Sequence, residues 1–374
     1  MRRRDLLASL GALAATPAQA VETLQGALDR IVKAQAIPGA TAALVIGDGA
    51  VTELASGFAN IEAGQRMPAD ALMPAASIGK TFVAAWALAL EREGKVDLDA
   101  PISRWFGAKP WFARLPNGPA ITIRMLLNHT SGLIDHAWNP AYLQAFFART
   151  KSDPDNIFTP EELVAFVLDR PPLFVAGKGY NYSDTNFILA GMIFEQAAGA
   201  GYYDEIRRRF FQPLGLARTV SSDRRSYPGL VNGYLREADG MGLPETSFVD
   251  GALFVNPGVE FTGGGVMSTS GDLVRWGRAL FGGRAVNGPY LPELLATPDI
   301  PPHKDGKYGL GVMIRKVPGL GLSWGHSGTM PYYGSVLAHV PARRLTLAIM
   351  VNRNRFDRAP ALAALARAAG PGTT

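Results

Sequence analysis

Short apolar runs stand at both ends of the chain, and turn residues separate them. Near the start, residues 41–46 and 51–58 flank the turn Gly47-Asp48-Gly49, an arrangement typical of a β-hairpin. Toward the end, Pro and Gly separate four further runs, at residues 308–315, 321–324, 334–340 and 345–351. Strands at both ends of a chain, with other elements between them, predict one antiparallel sheet that both ends build.

Helical spacing dominates the rest of the sequence. Apolar residues recur every three or four positions in residues 21–36, and residues 78–93 are rich in Ala, Leu and Trp. Proline at the favoured first position predicts another helix from Pro160. The remaining predicted helices cover residues 187–198, 202–211, 270–280 and 359–369.

These elements predict an α/β fold of the α+β type. An antiparallel sheet is expected to be flanked by the N- and C-terminal helices, with an all-helical domain inserted between its strands. We assign residues 21–75 and 265–374 to the sheet domain and residues 76–264 to the mainly helical insertion. The active site is expected between the two.

The first twenty residues have the pattern of an export signal. Arg2, Arg3 and Arg4 precede a short apolar stretch, and the small residues Ala18 and Ala20 mark a cleavage site. The stretch is too short to span a bilayer. The paired arginines favour the twin-arginine route, with the Sec route or an ordinary amphipathic helix as the alternatives. We expect residues 1–20 to be a signal peptide and the mature protein to be periplasmic or secreted.

The composition narrows the possible function classes. With 47% hydrophobic and 18% charged residues among 374, the chain is not disordered, and without cysteine it forms neither disulfides nor thiolate metal sites. The net charge is +5, of which Arg2, Arg3, Arg4 and Asp5 supply +2, so a nucleic-acid partner is not expected. The five histidines lack the spacing of metal ligands, and we expect no metal and no cofactor.

Ser77 and Lys80 are the first candidate catalytic pair. They stand three residues apart at the start of the predicted helix 78–93, so both side chains share one helix face. A lysine beside a serine hydroxyl can act as its base, and the free N–H groups of a helix start favour a developing oxyanion. A helix N-cap is the alternative role for Ser77. A phosphate loop is excluded because Pro74 stands where that motif needs Gly.

Two further segments can complete such a site. Tyr182 precedes the predicted helix 187–198, and its phenol could relay protons if a nearby ammonium lowers its pKa. Packing is the alternative role for this tyrosine. His326, Ser327 and Gly328 stand at the end of a predicted strand, where a small residue lets a substrate backbone approach the strand edge.

In this order, Ser77, Lys80, Tyr182 and the strand-borne His326-Ser327-Gly328 resemble the class C β-lactamase-like serine hydrolase family. Its members include β-lactamases, D-alanyl-D-alanine carboxypeptidases, D-amino-acid peptidases and esterases. The segment Leu126-Leu127-Asn128-His129-Thr130-Ser131-Gly132-Leu133 is similar to the family's L-L-x-H-T-S-G-L. The resemblance extends from about residue 37 to residue 352, with further similar landmarks at residues 94–99, 213–216, 264–269 and 308–311. It implies the fold of β-lactamases and penicillin-binding transpeptidases.

The resemblance also implies a role for each candidate residue. Ser77 is expected to be the acylated nucleophile and Lys80 its base partner, with Tyr182 in general acid–base transfer. The backbone N–H groups of Ser77 and Thr329 are expected to form the oxyanion hole. His326 stands where many relatives have Lys, and its imidazole could bond Tyr182 or a substrate carboxylate and titrate near neutrality. The residues expected to contact the substrate are Asp184, Ser327 and Gly328.

Two departures from the family pattern argue against efficient antibiotic hydrolysis. Asp184 stands where relatives usually carry Asn, and an ionised carboxylate cannot donate a hydrogen bond to a substrate carbonyl. An anion there is also expected to hold Lys80 protonated and to weaken it as a base. His326 in place of Lys resembles the peptidase-like members of the family.

Several other residues are open to two interpretations. His129 is expected to be structural. Arg355 and Arg358 follow the last predicted strand and could meet a substrate carboxylate. Aromatic residues usually belong to the core, yet six of them could line a cleft: Trp138, Tyr142, Phe146, Phe147, Tyr332 and Tyr333.

These observations together predict an exported serine hydrolase that forms an acyl-enzyme on Ser77. Its substrates are expected to be D-amino-acid peptides or amides, or small esters. A class C-type β-lactamase and a penicillin-binding or sensing module without turnover are the alternatives. The expected partner is a small-molecule or peptide substrate, without nucleic acid or a stable membrane span, and the oligomeric state is left open.

Overall fold

The computed structural model describes residues 22–235, 242–300 and 306–370. The predicted signal peptide and one of the five histidines, His303, lie outside these ranges. The strands are β1 (Gly39–Ile46), β2 (Thr52–Asn60), β3 (Gln65–Arg66), β4 (Met73–Pro74), β5 (Val220–Ser221), β6 (Phe248–Val249), β7 (Ala252–Leu253), β8 (Val266–Ser268), β9 (Lys307–Tyr308), β10 (Met313–Val317), β11 (Gly321–Met330), β12 (Tyr333–Val340) and β13 (Leu345–Val351).

Both ends of the chain contribute strands to one antiparallel sheet, as the hydrophobic pattern predicts. Its eight strands lie in the order β3-β2-β1-β13-β12-β11-β10-β9. The first and last parts of the chain meet at its centre, where Ala43 of β1 is paired with Ala348 of β13. The helices are α1 (Leu24–Ala34), α2 (Lys80–Arg92), α3 (Ser103–Phe106), α4 (Ile123–Leu127), α5 (Pro140–Ser152), α6 (Pro160–Ala165), α7 (Asp184–Ala198), α8 (Tyr202–Ile206), α9 (Ser270–Phe281), α10 (Leu291–Leu294) and α11 (Arg358–Ala368).

The central strands are covered on both faces, which explains their almost continuous apolar sequences. Successive side chains of a strand point to opposite faces, so Ala42 and Leu44 of β1 belong to one core while Ala43 and Val45 belong to the other. The terminal helices α1 and α11 pack together over the first core. Helix α9 packs on β1, β12 and β13 on the opposite face.

The inserted region is built around α2, which is buried along almost its whole length. Helix α7 packs against α2, α4 and α6. Phe82 of α2 stacks on Trp276 of α9 with their ring centroids 3.9 Å apart, and both side chains belong to the core that faces the sheet. The insertion and the sheet therefore share one large hydrophobic core, which fixes the position of α2 relative to the strands.

The predicted elements occur in the predicted order, with differences at their ends. The helix predicted at residues 78–93 begins with a 3₁₀ turn, Ala76–Gly79, which holds Ser77 just before α2. The strand predicted at 308–315 is divided into β9 and β10, because Gly311 adopts a positive φ of 62° between them. The strand predicted at 321–324 continues to Met330, so the His326 segment lies within β11 and not after it.

Two further differences concern the insertion and the cap of α9. The region predicted to be all-helical contains the short strands β5, β6 and β7. Strand β5 pairs with β8, and the N–H of Asn232 donates to the carbonyl of Ala59 in β2, so this part of the insertion contacts the sheet domain. The helix predicted at residues 270–280 is capped by Thr269: its hydroxyl accepts a hydrogen bond from the N–H of Asp272 at 3.1 Å. In the part of the chain that the structure describes, no helix is long and apolar enough to cross a membrane.

Candidate active site

Ser77 lies in a turn that contacts the backbone of strand β11. A Cβ atom at Gly328 would lie 2.2 Å from the carbonyl oxygen of Ala75, a distance that no side chain can occupy. The hydroxyl of Ser335 on β12 donates to the same carbonyl at 2.7 Å. Gly328 is therefore required for the packing of β11 against the Ser77 turn, and its expected contact with a substrate backbone stays a prediction.

Lys80 is fully buried at the first position of α2, and its Nζ contacts three oxygen atoms. Ser77 Oγ lies 3.1 Å from Nζ, Asp184 Oδ1 lies 2.5 Å from it, and the carbonyl of Gly263 accepts the third hydrogen bond. An ammonium ion has three N–H groups for these three acceptors. A neutral amine would donate to Asp184 and Gly263 and accept the proton of Ser77. The same geometry therefore suits both the charged lysine and the form that a general base requires.

Tyr182 lies beside Lys80 in the loop that leads into α7, and its ring centroid is 5.0 Å from Nζ. Burial raises the pKa of the Tyr182 phenol well above its usual value, and the Asp184 carboxylate adds to this rise, while the neighbouring Ser77 hydroxyl opposes it. The structure corrects the expectation that the lysine lowers this pKa. Tyr182 stays protonated and is suited to donate a proton rather than to accept one.

His129 holds the loop that carries Tyr182 and Asp184. Its Nδ1 accepts a hydrogen bond from the N–H of Ser183 at 3.3 Å, and Asn186 Nδ2 lies 3.2 Å from the same nitrogen. The rings of His129 and Tyr182 are in contact, with centroids 4.3 Å apart. These contacts are those of a positioning residue, in keeping with the structural role expected for it.

His326 lies next to the site, but its ring nitrogens form hydrogen bonds with Tyr308 and Ser327 and not with Tyr182. Nε2 is 2.8 Å from the Tyr308 hydroxyl, and Nδ1 is 2.8 Å from the carbonyl oxygen of Ser327. Because a carbonyl only accepts, Nδ1 carries the proton and Nε2 accepts from Tyr308. Burial, followed by the charge of Lys80, lowers the pKa of His326 well below its usual value. The expectations of a bond to Tyr182 and of titration near neutrality are therefore wrong, and the imidazole is neutral.

The part of β11 that follows His326 borders the site. Pairing with β10 ends at Gly325, and the hydroxyl of Ser327 donates to Met313 Sδ at 3.5 Å. Thr329 lines the cleft described below, directly after the contact of Gly328 with the Ser77 turn. The packing thus brings β11 beside the Ser77 turn. That the N–H groups of Ser77 and Thr329 together form an oxyanion hole stays a prediction.

Arg358 holds the same part of β11 in place by hydrogen bonds. Its Nη2 donates to the carbonyl of Gly328 at 2.6 Å and to the Thr329 hydroxyl at 2.7 Å, and its Nε donates to the carbonyl of Ser335 at 3.1 Å. Burial lowers the pKa of Arg358 to about 10, so it remains charged at neutral pH. Of the two arginines proposed to meet a substrate, Arg355 lines the cleft and Arg358 supports its wall.

Two buried carboxyl groups that the sequence did not reveal lie near the Lys80–Asp184 pair. Burial raises the pKa of Asp135 to about 8, and the charge of Asp184 adds to that rise. Burial likewise raises the pKa of Glu260 to about 8, with the charges of Lys80 and Asp184 acting in opposite directions. Neither residue belongs to a recognisable motif, and only the fold places residues 135 and 260 beside residue 80.

A cleft of about 480 Å³ opens beside Asp184, Gly263 and Thr329, and its wall is mostly apolar. Four of the six candidate aromatic residues line it, namely Trp138, Tyr142, Phe146 and Phe147. The other two, Tyr332 and Tyr333, are buried in the main core. A second cavity, of about 770 Å³, reaches Tyr182 and shares Trp138 with the first. Within the described ranges, no group of three or more acidic or histidine side chains is arranged to hold a metal ion.

Comparison with known proteins decides the family. The family model described as Beta-lactamase matches residues 24–370. The chain belongs to the beta-lactamase family. This family member is 26% identical to penicillin-binding protein 4* of Bacillus subtilis over 305 residues, which are 79% of this chain and 64% of that protein. It is 32% identical to esterase EstB of Burkholderia gladioli over 294 residues, 73% of this chain and 72% of the esterase.

Solved structures give the same family and fold. The D-stereospecific amidohydrolase from Streptomyces sp. is 30% identical, with a TM-score of 0.78, and the match covers 94% of this chain and 98% of that one. The D-amino acid amidase from Ochrobactrum anthropi SV3 in complex with D-phenylalanine is 27% identical, with a TM-score of 0.75 and coverage of 92% and 97%. Family, fold and these relatives together make this chain a serine hydrolase.

Proposed function

We propose that this chain is an exported serine hydrolase that forms an acyl-enzyme on Ser77 and cleaves D-amino-acid peptides or amides, or small esters. The observation that carries the proposal is the distance of 3.1 Å between Ser77 Oγ and Lys80 Nζ, next to an aromatic cleft. Similarity to a D-stereospecific amidohydrolase and a D-amino acid amidase supports amide substrates, and similarity to an esterase supports esters. Export rests on the sequence pattern of residues 1–20.

Acylation would begin with the transfer of the Ser77 proton to neutral Lys80. The Ser77 oxygen attacks the substrate carbonyl carbon, and the carbonyl oxygen takes up the negative charge of the tetrahedral intermediate. The N–H groups of Ser77 and Thr329 would stabilise that charge, since preorganised donors are worth most in a buried site. Asp184 and the Gly263 carbonyl hold Nζ in place while it receives the proton.

Departure of the leaving group requires a proton donor. Tyr182 suits this step because its phenol is held protonated by burial and lies beside both Ser77 and Lys80. The bond between the carbonyl carbon and the leaving nitrogen or oxygen breaks as the phenol proton moves to the leaving atom. Lys80 then returns its extra proton to the phenolate, so both residues regain their starting forms.

Deacylation would reverse these roles with water as the nucleophile. Water loses one proton to Lys80, directly or through Tyr182, and attacks the ester carbon of the acyl-enzyme. The tetrahedral intermediate collapses to a free carboxylic acid, and the Ser77 oxygen recovers its proton. No metal or cofactor is required by this sequence of steps, because each proton has a donor and an acceptor among Ser77, Lys80 and Tyr182.

Asp184 favours hydrolysis of amino-acid derivatives over that of antibiotics. Its carboxylate is engaged by Lys80 at 2.5 Å and has no N–H to offer a substrate carbonyl. A β-lactamase and a module that acylates without turnover are the competing functions, and a substrate panel separates the three.

The test is a panel assayed with the wild type and with Ser77→Ala. The panel contains D- and L-phenylalanine amide, p-nitrophenyl butyrate, a D-Ala-D-Ala peptide and nitrocefin. We expect turnover of the D-amide and the ester, at least tenfold slower turnover of the L-amide, and loss of all activities in Ser77→Ala. Intact-mass spectra after a fluorophosphonate should show one adduct, at Ser77.

Three results contradict the proposal. Hydrolysis that persists in Ser77→Ala places the nucleophile elsewhere. Rapid nitrocefin turnover without amidase or esterase activity makes the chain a β-lactamase. A stable adduct on Ser77 with no product release from any substrate identifies a binding module. Export is tested separately, by locating a tagged full chain and the same chain with Arg3→Lys and Arg4→Lys, since these are the paired arginines directly before Asp5.

A further inference from the structure

Glu260 is a buried carboxyl group of the cleft that the proposed reaction does not use. It lines the cleft together with Asp184 and Gly263, the residues that hold the Lys80 amine. Its carboxylate lies over Gly264, where a Cβ atom would come within 2.6 Å of Oε1. Gly264 therefore leaves the space that the carboxylate occupies beside the catalytic residues.

The Oε2 atom of Glu260 is buried and has no hydrogen-bond partner among the described residues. A buried carboxylate oxygen without a partner is costly, and native structures retain one chiefly where something else binds it. Lys80, whose charge acts on Glu260, cannot supply the partner, because its three N–H directions are taken by Ser77, Asp184 and Gly263. The free enzyme thus holds an acceptor in the cleft wall that none of the residues described satisfies.

Asp135, the other buried carboxyl group near the site, differs from Glu260 in this respect. Its Oδ1 accepts a hydrogen bond from the N–H of Ala137 at 3.1 Å and caps the short helical turn His136–Trp138. Asp135 is therefore explained by its structural role. Glu260 is the carboxyl group that remains available to a ligand.

A carboxyl group without a partner is suited to bind a positively charged hydrogen-bond donor. The rest of the cleft indicates which other groups the ligand carries beside that donor. Its wall includes Tyr142, Phe146 and Val259, side chains that bury apolar groups favourably. A ligand that satisfies both features carries a positively charged hydrogen-bond donor and a bulky apolar group on adjacent atoms. An amino-acid amide or ester with an unblocked α-ammonium group and an aromatic or aliphatic side chain has this chemistry.

We propose that Glu260 binds the free α-ammonium group of the substrate and thereby selects unblocked amino-acid derivatives with bulky apolar side chains. The inference rests on the proposed function, because it assigns the acyl part of the substrate to the cleft beside Ser77. The positive charge of the ammonium would favour the ionised form of Glu260, and the ammonium would donate to Oε2. The side chain would lie against the aromatic wall. Glu260 is on this basis a specificity residue and takes no part in the transfer of protons.

The first experiment uses only the wild type. The comparison is made at pH 8.5, above the pKa of about 8 that burial gives Glu260. 2-Phenylethylamine, which is still mostly charged at this pH, and 2-phenylethanol, which is neutral and of similar shape, are compared as competitive inhibitors of p-nitrophenyl butyrate hydrolysis. A carboxylate that receives the ammonium should make the amine the tighter inhibitor by about 10- to 100-fold, the range of a charge-assisted hydrogen bond. Equal inhibition by the two compounds overturns the inference without any variant that has to fold.

The second experiment compares Glu260→Gln with Glu161→Gln. Glu161 pairs with Lys109 on the surface and is not among the residues that line the cleft, so it controls for the loss of one carboxylate. The readout is the ratio of kcat/KM for D-phenylalanine amide to that for N-acetyl-D-phenylalanine amide. We expect Glu260→Gln to lower this ratio by about 10- to 100-fold, mainly through KM, and Glu161→Gln to leave it unchanged.

An equal loss on blocked and unblocked substrates in Glu260→Gln shows that the residue acts through Lys80, and it overturns the inference. An unchanged ratio overturns it as well. The proposed function fails by a different result, namely hydrolysis that survives Ser77→Ala. If amides are not cleaved but the ester is, the inhibitor comparison still decides the role of Glu260.

Discussion

Two buried regions of the site differ in how their polar groups are hydrogen-bonded. One is the catalytic floor, formed by Ser77, Lys80, Asp184 and Gly263. The other is the wall of the cleft that carries Glu260. In the floor, the one buried ammonium has an acceptor for each N–H group. In the wall, a carboxylate oxygen is buried without a partner. Buried polar groups in a low-dielectric site are stable only when paired. The floor is therefore complete before a substrate arrives, whereas the wall is completed by the substrate.

Removal of the floor's amine should have the largest effect. Lys80→Ala deletes the base and the anchor of Ser77 together, and we expect kcat/KM to fall by about 10³-fold on every substrate. Lys109→Ala, on the surface, is the control. The measurement is the rate of fluorophosphonate labelling and of p-nitrophenyl butyrate turnover. A loss confined to one class of substrate would show that Lys80 binds that substrate and is not the general base.

The contact between β11 and the Ser77 turn is the next target. Gly328→Ala puts a methyl group 2.2 Å from the carbonyl of Ala75, so we expect a lower free energy of unfolding, by roughly 2 kcal/mol, and slower acylation. Gly201→Ala is the matched control, because the nearest atom to its Cβ position is 3.8 Å away. Urea denaturation and labelling rates are the measurements. An unchanged acylation rate in a destabilised Gly328→Ala would show that the position of β11 does not affect acylation.

Removal of the negative charge from the Lys80–Asp184 ion pair should have a smaller effect on acylation, and should make it faster rather than slower. Asp184→Asn keeps an acceptor for Lys80 and removes the negative charge, which favours the neutral amine. We expect acylation by nitrocefin at pH 7 to become several-fold faster, up to about tenfold. The rate of the acylation burst measures it. A slower burst would show that the carboxylate is needed for the position of Nζ more than it hinders proton transfer.

The two buried carboxyl groups, Asp135 and Glu260, should make stability depend on pH. Because the pKa of Asp135 and of Glu260 is about 8 in the fold, the folded chain keeps protons that the unfolded chain has lost. Their stabilisation is complete at low pH and is lost as the pH rises through about 8. His136 and His339, with their pKa lowered to about 4, act in the opposite direction, but only below pH 6.5.

Between pH 6.5 and about 8 the free energy of unfolding is therefore expected to fall, by on the order of 1 kcal/mol per pH unit for each carboxyl. Thermal unfolding across this range measures it. Glu260→Gln should flatten the dependence, and Glu161→Gln should not. An identical pH dependence in Glu260→Gln would mean that Glu260 is ionised throughout the range.

The order of the elements and the shared sheet could be predicted because their signals are local. Apolar alternation, the Gly47-Asp48-Gly49 turn and the proline at residue 160 act over a few residues, and each element formed where its pattern indicates. The ends of β11 and the split of β9 from β10 could not be predicted in this way. They depend on the pairing of distant strands and on the turn at Gly311.

The candidate site was predictable only in part. Ser77 and Lys80 could be recognised together because one turn of helix joins them. The protonation of Tyr182, by contrast, is set by burial and by Asp184, and the partner of His326 is Tyr308, which lies 18 residues away in sequence. Sequence spacing gives no measure of burial, and burial decides these charge states.

The amino-acid sequence by itself determined the family, the two-ended sheet, and the serine, lysine and tyrosine available for acyl transfer. Only the tertiary structure decided the protonation state of Tyr182, the need for glycine at residue 328 where β11 contacts the Ser77 turn, and the position of Glu260 in the cleft wall. The physical reason is that residue identity and periodicity are local properties, whereas desolvation and charge interaction are sums over neighbours from the whole chain. Lys80 and Glu260 lie near opposite ends of the insertion in sequence, and folding makes them neighbours in one low-dielectric site.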